Sequence, residues 1–411
     1  MNILFLHRNF PAQFRYIAQE LAKDPDNNVV FITNNDNVSI AGIKKVVYRL
    51  KREVPENCHR YLKFYEESII HAQSAAEASL YVKAQGFVPD VIYGHTWGPT
   101  MFMKDIFPDV PLLCYFEWFY NAEGADVGFD GSLSDENDKA RLRCKNSHLL
   151  VDLYSCDRGI SPTSWQKSQF PQEFHDKIKV LHDGVDTDFC KPDSEAKFLV
   201  KEKDLVLTAQ DEVITYATRG MEPYRGFPEF MRAAEKLLKK RPNAHVVVAG
   251  EDRVCYGPKL VNSTFKELML KELDLDMDRV HFVGGLPFAE YVNLLQVSSA
   301  HVYLTFPFVL SWSLLDAMAC GCPIVASSTA PVLELIKDNY NGLLVDFYNV
   351  EGFVEKVEYV LDNQDKCQQL RLNARKTIVD DYSLQDLLPK HIDFVKNMSL
   401  EAENYKNRNS L

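Results

Sequence analysis

The chain has 411 residues, of which 46% are hydrophobic and 25% charged, a composition typical of a globular protein with two or three domains. Its formal net charge of −12 argues against nucleic-acid binding, because proteins of that class present a basic face. The cysteines are scattered singly, and no apolar run reaches the roughly 18 residues of a membrane-spanning helix. We therefore expect a cytoplasmic protein with free thiols.

In the first part of the chain, short apolar segments alternate with amphipathic ones. The opening residues, MNILFLHRNF, are predicted to form a strand and not a leader peptide, because no long apolar core follows a basic start. Strands that alternate with helices predict a parallel sheet covered on both faces. The predicted strands are residues 2–7, 27–33, 90–95, 111–116, 157–163 and 177–184, and residues 13–24 have helical spacing.

Residues 42–63 are a basic exception in an acidic chain. This segment has two interpretations, a solvated surface or a patch that contacts an anionic acceptor or a membrane surface. The second would place the protein at the periphery of the inner membrane face. Its cationic residues are Lys44, Lys45, Arg49, Lys51, Arg52, Arg60 and Lys63.

The alternating pattern restarts after residues 187–194, where Asp, Lys and Pro gather. We therefore expect an α/β protein with two Rossmann-like, doubly wound domains, 1–190 and 191–390, and a tail, 391–411. Ligands of such sheets bind at the carboxyl ends of the strands, so two facing domains would bind theirs in a central cleft. The predicted strands here are 204–219, 243–252, 278–285, 300–306, 323–328 and 341–347, with helices over 228–242, 287–299 and 313–321.

The segment FVLSWSLLDAMACGCPIVASS, 308–328, follows a predicted strand and turns helical. The start of a helix attracts anions because its backbone N–H groups lack partners, and Ser311 and Ser313 can add hydroxyl donors. Asp316 lies three residues after Ser313, the spacing of a capping box that would hold the helix start without any ligand. The sequence leaves both interpretations open.

Two arginines favour the anion site. Arg219 ends a predicted strand, and Arg225 follows six residues later, before a helix. Two guanidinium groups near the carboxyl end of a strand suit a diphosphate, because each donates parallel hydrogen bonds to oxyanions. The alternative is a pair of surface salt bridges. With the helix start, the arginines predict a diphosphate ligand that needs no metal.

These segments resemble the retaining glycosyltransferases of family 4, which have the GT-B fold. The resemblance rests on ITYATRGMEPYRGFPEFMRAAEKL, VHFVGGLPFAEYVNLL, HVYLTFPFVLSWSLLDAMACGCPIVAS and DNYNGLLVDF in the second half. In the first half, KIKVLHDGVDTDFCKPD is similar to the hinge signature of the family, and PDVIYGHTW and SPTSWQK match expected positions. The resemblance covers nearly the whole chain and implies that the tail returns to the first domain as a helix.

The resemblance implies a role for each matching residue. Arg219 and Arg225 would neutralise the donor diphosphate, and Asp316 would bind the ribose hydroxyls where the family usually has Glu. The other donor-binding residues would be Leu286 and Pro287 near the nucleobase, Val309 and Leu310, whose backbone amides would hold the sugar, and Ser311, Ser313 and Leu314 at the helix start. Asn9 and Gln13 belong to the loop 7–14, which either reaches the donor phosphates or is an ordinary strand-to-helix connection.

The sequence departs from the family at two positions. Phe308 stands where the family usually has the first of two acidic residues, so no carboxylate nucleophile is available there. Glu117 stands where members often have His; it would orient a sugar hydroxyl, stabilise positive charge or accept the proton of the acceptor, unless it forms a buried ion pair. We expect His95, Trp97 and Trp118 beside it as acceptor-binding residues, with aromatic packing as the alternative.

The resemblance implies transfer of a sugar from a nucleotide diphosphate to the hydroxyl of a glycan or glycolipid acceptor, with retained configuration. Two Asp-x-Asp motifs, 186–188 and 276–278, resemble metal sites of another glycosyltransferase fold, but they lie in unsuitable contexts, so we expect no metal cofactor. The alternatives are a nucleotide-sugar epimerase or phosphorylase of the same fold, although no lysine context suggests pyridoxal, and a non-catalytic nucleotide-sugar-binding subunit.

Overall fold

The computed structural model describes residues 1–132 and 135–409. The chain forms two compact units: unit 1 contains Met1–Gly184 and the segment from Gln385 onward, and unit 2 contains Val185–Leu384. No helix in the described part of the chain is both long enough and apolar enough to cross a membrane. All nine cysteines are free thiols.

Unit 1 contains a seven-stranded sheet in the order β3-β2-β1-β4-β5-β6-β7, and every neighbouring pair is parallel. The central strands are completely buried because helices cover both faces. Its elements are β1 (Asn2–His7), α1 (Arg15–Lys23), β2 (Asn28–Thr33), β3 (Ile43–Val47), α2 (Lys63–Ala84), β4 (Val91–His95), α3 (Met103–Ile106), β5 (Leu112–Tyr115), α4 (Glu136–Lys145), α5 (Ser147–Ser155), β6 (Arg158–Ser161), α6 (Ser164–Ser168) and β7 (Ile178–Val180).

Unit 2 contains a parallel six-stranded sheet in the order β12-β11-β10-β13-β14-β15 and an antiparallel pair, β8-β9. The elements are β8 (Lys197–Val200), β9 (Leu205–Thr208), β10 (Glu212–Gly220), α7 (Phe227–Lys240), β11 (Ala244–Glu251), α8 (Phe265–Glu272), β12 (Val280–Gly284), α9 (Phe288–Gln296), β13 (Ala300–Tyr303), α10 (Trp312–Ala319), β14 (Ile324–Ser327), α11 (Ala330–Leu333), β15 (Leu343–Val345), α12 (Val350–Asp362) and α13 (Gln364–Asp381). Both parallel sheets match the predicted α/β class.

The last helix, α14 (Leu384–Asn409), belongs mainly to unit 1. Its apolar residues Leu387, Val395 and Met398 join the core that packs on β1. The predicted domain boundaries, after 190 and after 390, lie six residues beyond the observed ones, after Gly184 and after Leu384. The reason is a backbone clasp inside unit 2: Val185 N–H donates to Tyr382 O, and Leu384 N–H donates to Val185 O, each at 2.8 Å.

Candidate functional site

The carboxyl edge of the sheet in unit 2 carries the two arginines that the sequence singles out. Arg219 is exposed near the end of β10, whereas Arg225 is buried in a 3₁₀ turn, Pro223–Arg225. Gly226 follows with a left-handed backbone, φ +65°, and a Cβ there would lie 2.4 Å from Leu304 Cβ. Only glycine fits this position, so the tight approach to the loop after β13 depends on it.

Arg225 is held in place by groups from the loop that follows β13. Its Nη1 donates to Thr305 Oγ1 at 2.8 Å and to Val309 O at 2.9 Å. Its guanidinium carbon lies 5.0 Å from the centre of the Tyr256 ring, within the range of a cation–π contact. A buried, fixed cation therefore lies beside the segment that leads into α10.

The start of α10 differs from the capping box that the sequence suggested. The N-cap is Ser311, whose Oγ accepts from Ser313 N–H at 3.3 Å, so Ser313 already lies in the first turn. Asp316 instead lies one turn further and accepts from Tyr291 Oη at 3.5 Å. Burial raises the pKa of Asp316 to about 7. The capping box is thus wrong for the pair. Two N–H groups of the first turn have partners at the helix start itself, because Ser313 N–H donates to Ser311 Oγ and Leu314 N–H donates to Ser311 O at 3.2 Å.

The other predicted donor residues, apart from Asn9 and Gln13 of unit 1, lie along the same edge of unit 2. Phe308 is buried, with its ring 5.1 Å from that of Tyr256 and 5.5 Å from that of Tyr224, so it serves as packing at the position where the family has an acid. Leu310 and Leu314 are also buried, and Val309 contributes its carbonyl to Arg225. Leu286 is half-buried and Pro287 is exposed in the turn between β12 and α9.

In unit 1, the carboxyl ends of β1, β4 and β5 bring His7, His95 and Glu117 together. The rings of the two histidines are 4.6 Å apart, and His95 Nε2 lies 3.6 Å from Glu117 Oε2. Asn9 N–H donates to His7 Nδ1 at 2.8 Å, so the ring proton of neutral His7 is on Nε2. Burial, followed by the neighbouring His95, lowers the pKa of His7 well below its usual value.

Glu117 has a second neighbour in Gln13, whose Nε2 donates to Glu117 Oε1 at 3.4 Å. The half-buried Trp97 ring lies 4.3 Å from the His95 ring, as the predicted clustering requires. Trp118, in contrast, is only 3% exposed and lies 6.2 Å from the Trp165 ring, which favours its packing role over contact with a sugar.

Sequence reasoning missed Arg8, which the loop after β1 directs into unit 1. Its Nη1 donates to Glu67 Oε1 at 2.8 Å and its Nε to Trp97 O at 2.5 Å. Burial lowers the pKa of Arg8, and the Glu67 carboxylate opposes that shift. The side chain therefore fixes the backbone of Trp97. The only sequence signal was a cation directly after a buried strand.

The basic segment 42–63 is largely neutralised by carboxylates. The ion pairs join Lys45 and Arg49 to Asp36, Lys51 to Glu77, Arg52 to Glu66 and Arg60 to Asp138. This arrangement agrees with a solvated surface better than with a cationic patch.

The two Asp-x-Asp motifs cap turns. Asp186 accepts from the N–H groups of Asp188 and Phe189, and Asp276 accepts from Asp278 N–H and pairs with Arg279. Within residues 1–132 and 135–409, no three His, Cys, Asp or Glu side chains are grouped as they would be to hold a metal ion.

Comparison with known proteins agrees with the fold. Residues 25–190 match the "Glycosyl transferase family 4 group" model and residues 200–377 match "Glycosyl transferases group 1". The chain is 23% identical over 315 residues to an uncharacterized glycosyltransferase of Methanocaldococcus jannaschii, covering 75% of each chain. It is 22% identical to a D-inositol 3-phosphate glycosyltransferase of Corynebacterium aurimucosum over 71% of this chain and 67% of the relative.

Two solved structures have the same fold. Sucrose-phosphate synthase from Thermosynechococcus elongatus superposes with a TM-score of 0.71 at 14% identity, over 97% of this chain and 99% of the other. HepE from Anabaena, solved in complex with UDP, superposes with a TM-score of 0.67 at 16% identity, over 97% of this chain and 100% of the other. The two family models together span most of the sequence, and their boundaries follow the two units. The chain belongs to the group 1 glycosyltransferases of GT-B fold.

Proposed function

We propose that this glycosyltransferase moves a sugar from a nucleoside diphosphate donor to an acceptor hydroxyl, retains the α configuration and needs no metal ion. The observation that carries the proposal is Arg225, a buried guanidinium held beside the start of α10 by Thr305 and Val309. A cation fixed before substrate arrives stabilises the charge of a departing diphosphate without reorganisation in the transition state.

Each of the proposed donor-binding residues would contact a different part of the donor. Arg225 is the buried, fixed cation, and exposed Arg219 is free to adjust to the second phosphate. The N–H groups in the first turn of α10, around Ser313 and Leu314, add the positive end of a helix dipole. Asp316 would bind the ribose, and Leu286 and Pro287 the base. The two guanidinium groups and the start of α10 together replace the positive charge that a metal ion would supply.

The reaction breaks the bond between the anomeric carbon and the diphosphate oxygen and forms the bond to the acceptor oxygen on the same face. The acceptor proton passes to the departing phosphate oxygen, so atoms and charge balance without a carboxylate nucleophile. Phe308 fits this route because it places an aromatic ring where such a nucleophile would stand. Glu117 would orient a hydroxyl or stabilise positive charge at the anomeric carbon.

The known relatives suggest which donors to test first. HepE was solved with UDP and also with UDP-glucose, and a TarM variant with UDP and alpha-GlcNAc-glycerol. A uridine donor and a glycan or glycolipid acceptor are therefore the first candidates. The cations of residues 42–63 are mostly paired with carboxylates and so offer little charge to an anionic membrane.

The first test is a thermal-shift panel of UDP, GDP, ADP and CMP and their sugar conjugates, with and without EDTA. A ligand at a hundredfold over its Kd stabilises the fold by roughly 2.7 kcal/mol, which a melting curve resolves. We expect a shift from one nucleoside diphosphate that survives EDTA and is lost in Arg225→Ala. An acceptor screen with that donor, read by proton NMR, then reports the anomeric configuration. A strict metal requirement would contradict the proposal that no metal ion is needed. A product of inverted configuration would contradict the proposal that the configuration is retained.

A non-catalytic nucleotide-sugar-binding subunit is the second candidate, and buried Phe308 is the observation that favours it. Such a subunit would bind the donor in the same panel and release no nucleotide from it with any acceptor. A nucleotide-sugar epimerase would convert the donor when no acceptor is present. The same incubation, analysed by chromatography of the nucleotide sugar, separates all three activities.

A further inference from the structure

Glu222 is a fully buried carboxylate between the two arginines, 0% exposed. Its Oε1 accepts from Cys255 N–H at 2.9 Å, and its Oε2 accepts from Tyr256 N–H at 3.0 Å and Gly257 N–H at 2.8 Å. Burying a carboxylate is costly unless strong donors compensate, and three successive backbone N–H groups do so here. The side chain therefore fixes the loop that follows β11.

The backbone of Glu222 is equally engaged. Its carbonyl accepts from Arg225 N–H and from Phe227 N–H, each at 3.2 Å, which holds the 3₁₀ turn and the start of α7. One residue thus joins two loops: the turn that carries Arg225 and the segment Cys255–Gly257.

Tyr256 is the side chain that this loop presents. Its ring lies 5.0 Å from the guanidinium carbon of Arg225 and 5.1 Å from the ring of Phe308, yet the residue remains 38% exposed. Thr305 and Val309 hold the edge of the guanidinium, and the ring covers its face. Displacement of the loop would remove that cover and hydrate Arg225.

We infer that Glu222 is a positioning residue of the donor site: its carboxylate fixes the loop Cys255–Gly257 so that Tyr256 covers Arg225 and holds it ready for the diphosphate. The inference rests on the proposed function, because it takes Arg225 to bind the donor. It adds Tyr256 as a wall of that subsite and gives Phe308 a part in supporting the ring.

The test compares nucleotide affinity in the full-length protein. Glu222→Gln is nearly isosteric but turns an amide nitrogen toward N–H donors, so at least one hydrogen bond is lost. Tyr256→Ala removes the ring, Tyr256→Phe keeps it, and a double variant combines Glu222→Gln with Tyr256→Ala. Glu272→Gln is the matched control, because Glu272 is an exposed carboxylate that pairs with Arg232. The readouts are the melting temperature and the calorimetric Kd of whichever of UDP, GDP or ADP gives the largest thermal shift.

We expect Glu222→Gln and Tyr256→Ala each to raise the Kd about tenfold, a loss between those of an exposed and a fully desolvated cation–π contact, because Tyr256 is partly exposed. The double variant should bind no more than about twofold more weakly than either single one, because both changes remove the same cover. Tyr256→Phe and the control should stay within about twofold of the parent.

Three results would overturn the inference. The Kd could stay unchanged in Glu222→Gln while the melting temperature falls, the two effects could multiply in the double variant, or Tyr256→Ala could bind normally. If Glu222→Gln fails to fold, the comparison of Tyr256→Ala with Tyr256→Phe alone decides whether the ring that covers Arg225 contributes to nucleotide binding. Arg225→Ala distinguishes failure of this inference from failure of the proposed function. If Arg225→Ala binds nucleotide normally, or if the parent protein binds no nucleotide, the proposed function fails as well. If binding weakens in Arg225→Ala but not in the Glu222 and Tyr256 variants, only the role of Glu222 is removed.

Discussion

The two units prepare their polar edges in different ways. In unit 2, Arg225 has two hydrogen bonds of 2.8 and 2.9 Å to the loop after β13 and an aromatic ring over its face. In unit 1, the contacts of the Glu117 carboxylate are longer, 3.4 Å to Gln13 Nε2 and 3.6 Å to His95 Nε2. Arg225 is therefore held in place before any ligand arrives, whereas the Glu117 carboxylate is held less tightly.

The ligands proposed for the two edges would account for this difference. A diphosphate presents the same charge and geometry whatever sugar it carries, so a fixed cation suits it. Acceptors vary in shape, and groups with loose hydrogen bonds can re-form them around a hydroxyl. The contrast predicts that replacing Arg225 in unit 2 weakens nucleotide binding, and that replacing Glu117 in unit 1 lowers turnover without changing nucleotide affinity.

The largest expected effect comes from Arg225. Replacement by Ala removes the fixed cation, and we expect turnover to fall about 100- to 1000-fold, as for other preorganised donors of charge stabilisation. Arg225→Lys should recover only part of this loss, because an ammonium cannot reach Thr305 and Val309 with one planar group. Steady-state kinetics with the identified donor measures both. Turnover within about tenfold of the parent in Arg225→Ala, ~1.4 kcal/mol of barrier, would contradict the assignment.

Glu117 should give the next largest effect and test the other side of the comparison. We expect Glu117→Gln to lower kcat about 100-fold while the nucleotide Kd stays within about twofold, because the change removes the charge that we propose acts in catalysis and leaves unit 2 intact. Calorimetry and initial rates on the same preparation give the two values. His175→Gln, a half-buried residue of unit 1 that bonds Phe170 O, is a control that should leave both unchanged. A nucleotide Kd that rises with the fall in kcat would erase the distinction between the units.

Each unit also contains a carboxyl whose pKa rises on burial, Asp152 to about 8 and Asp316 to about 7, from an ordinary 3.8. A raised pKa means that the folded state holds the proton more tightly, so the free energy of unfolding falls as pH rises above about 4. The slope is at most about 1.4 kcal/mol per pH unit for each group. We expect Asp316→Asn to flatten the slope up to about pH 7 and Asp152→Asn to flatten it up to about pH 8. Urea unfolding at pH 5, 6, 7 and 8 distinguishes them, and parallel curves for the parent and both variants would rule out the assignment.

The smallest effect should come from the paired cations of residues 42–63. Lys51→Ala and Arg52→Ala each remove an exposed ion pair, which contributes about 0.2–1 kcal/mol, so we expect each variant to change the free energy of unfolding by less than about 1 kcal/mol. Neither variant should change sedimentation with anionic vesicles in physiological salt. Loss of vesicle binding in these variants would revive the membrane patch and add a third functional region to the comparison.

The sequence predicted most of the sheet strands because buried parallel strands are short, continuous apolar runs. It missed β3 (Ile43–Val47), which contains Lys44 and Lys45 and was interpreted as basic surface. An edge strand tolerates lysines, and they protect it from pairing with another chain. It also merged β9 and β10, because the turn between them, Ala209–Asp211, has no glycine or proline to mark it.

Among the site residues, the sequence located Arg225 but not the groups that hold it. Thr305 and Val309 lie about 80 residues further along the chain, and only the adjacency of β10 and β13 brings them close. Glu222 has no signal of its own, because one acidic residue near two arginines is interpreted as a surface ion pair. Tyr256 lies in a long loop without periodicity. Long-range contacts of this kind depend on strand order, which local patterns do not encode.

The backbone clasp between Val185 and Leu384 makes unit 2 an insertion in the chain of unit 1. The ribosome therefore starts unit 1 before unit 2 but completes unit 2 before unit 1. The core of unit 1 lacks Leu387, Val395 and Met398 until the 200 residues from Val185 to Leu384 have been made, a delay of roughly 10 to 40 s at about 5–20 residues per second. During that interval the apolar surface around β1 lacks the part of its cover that these three side chains supply.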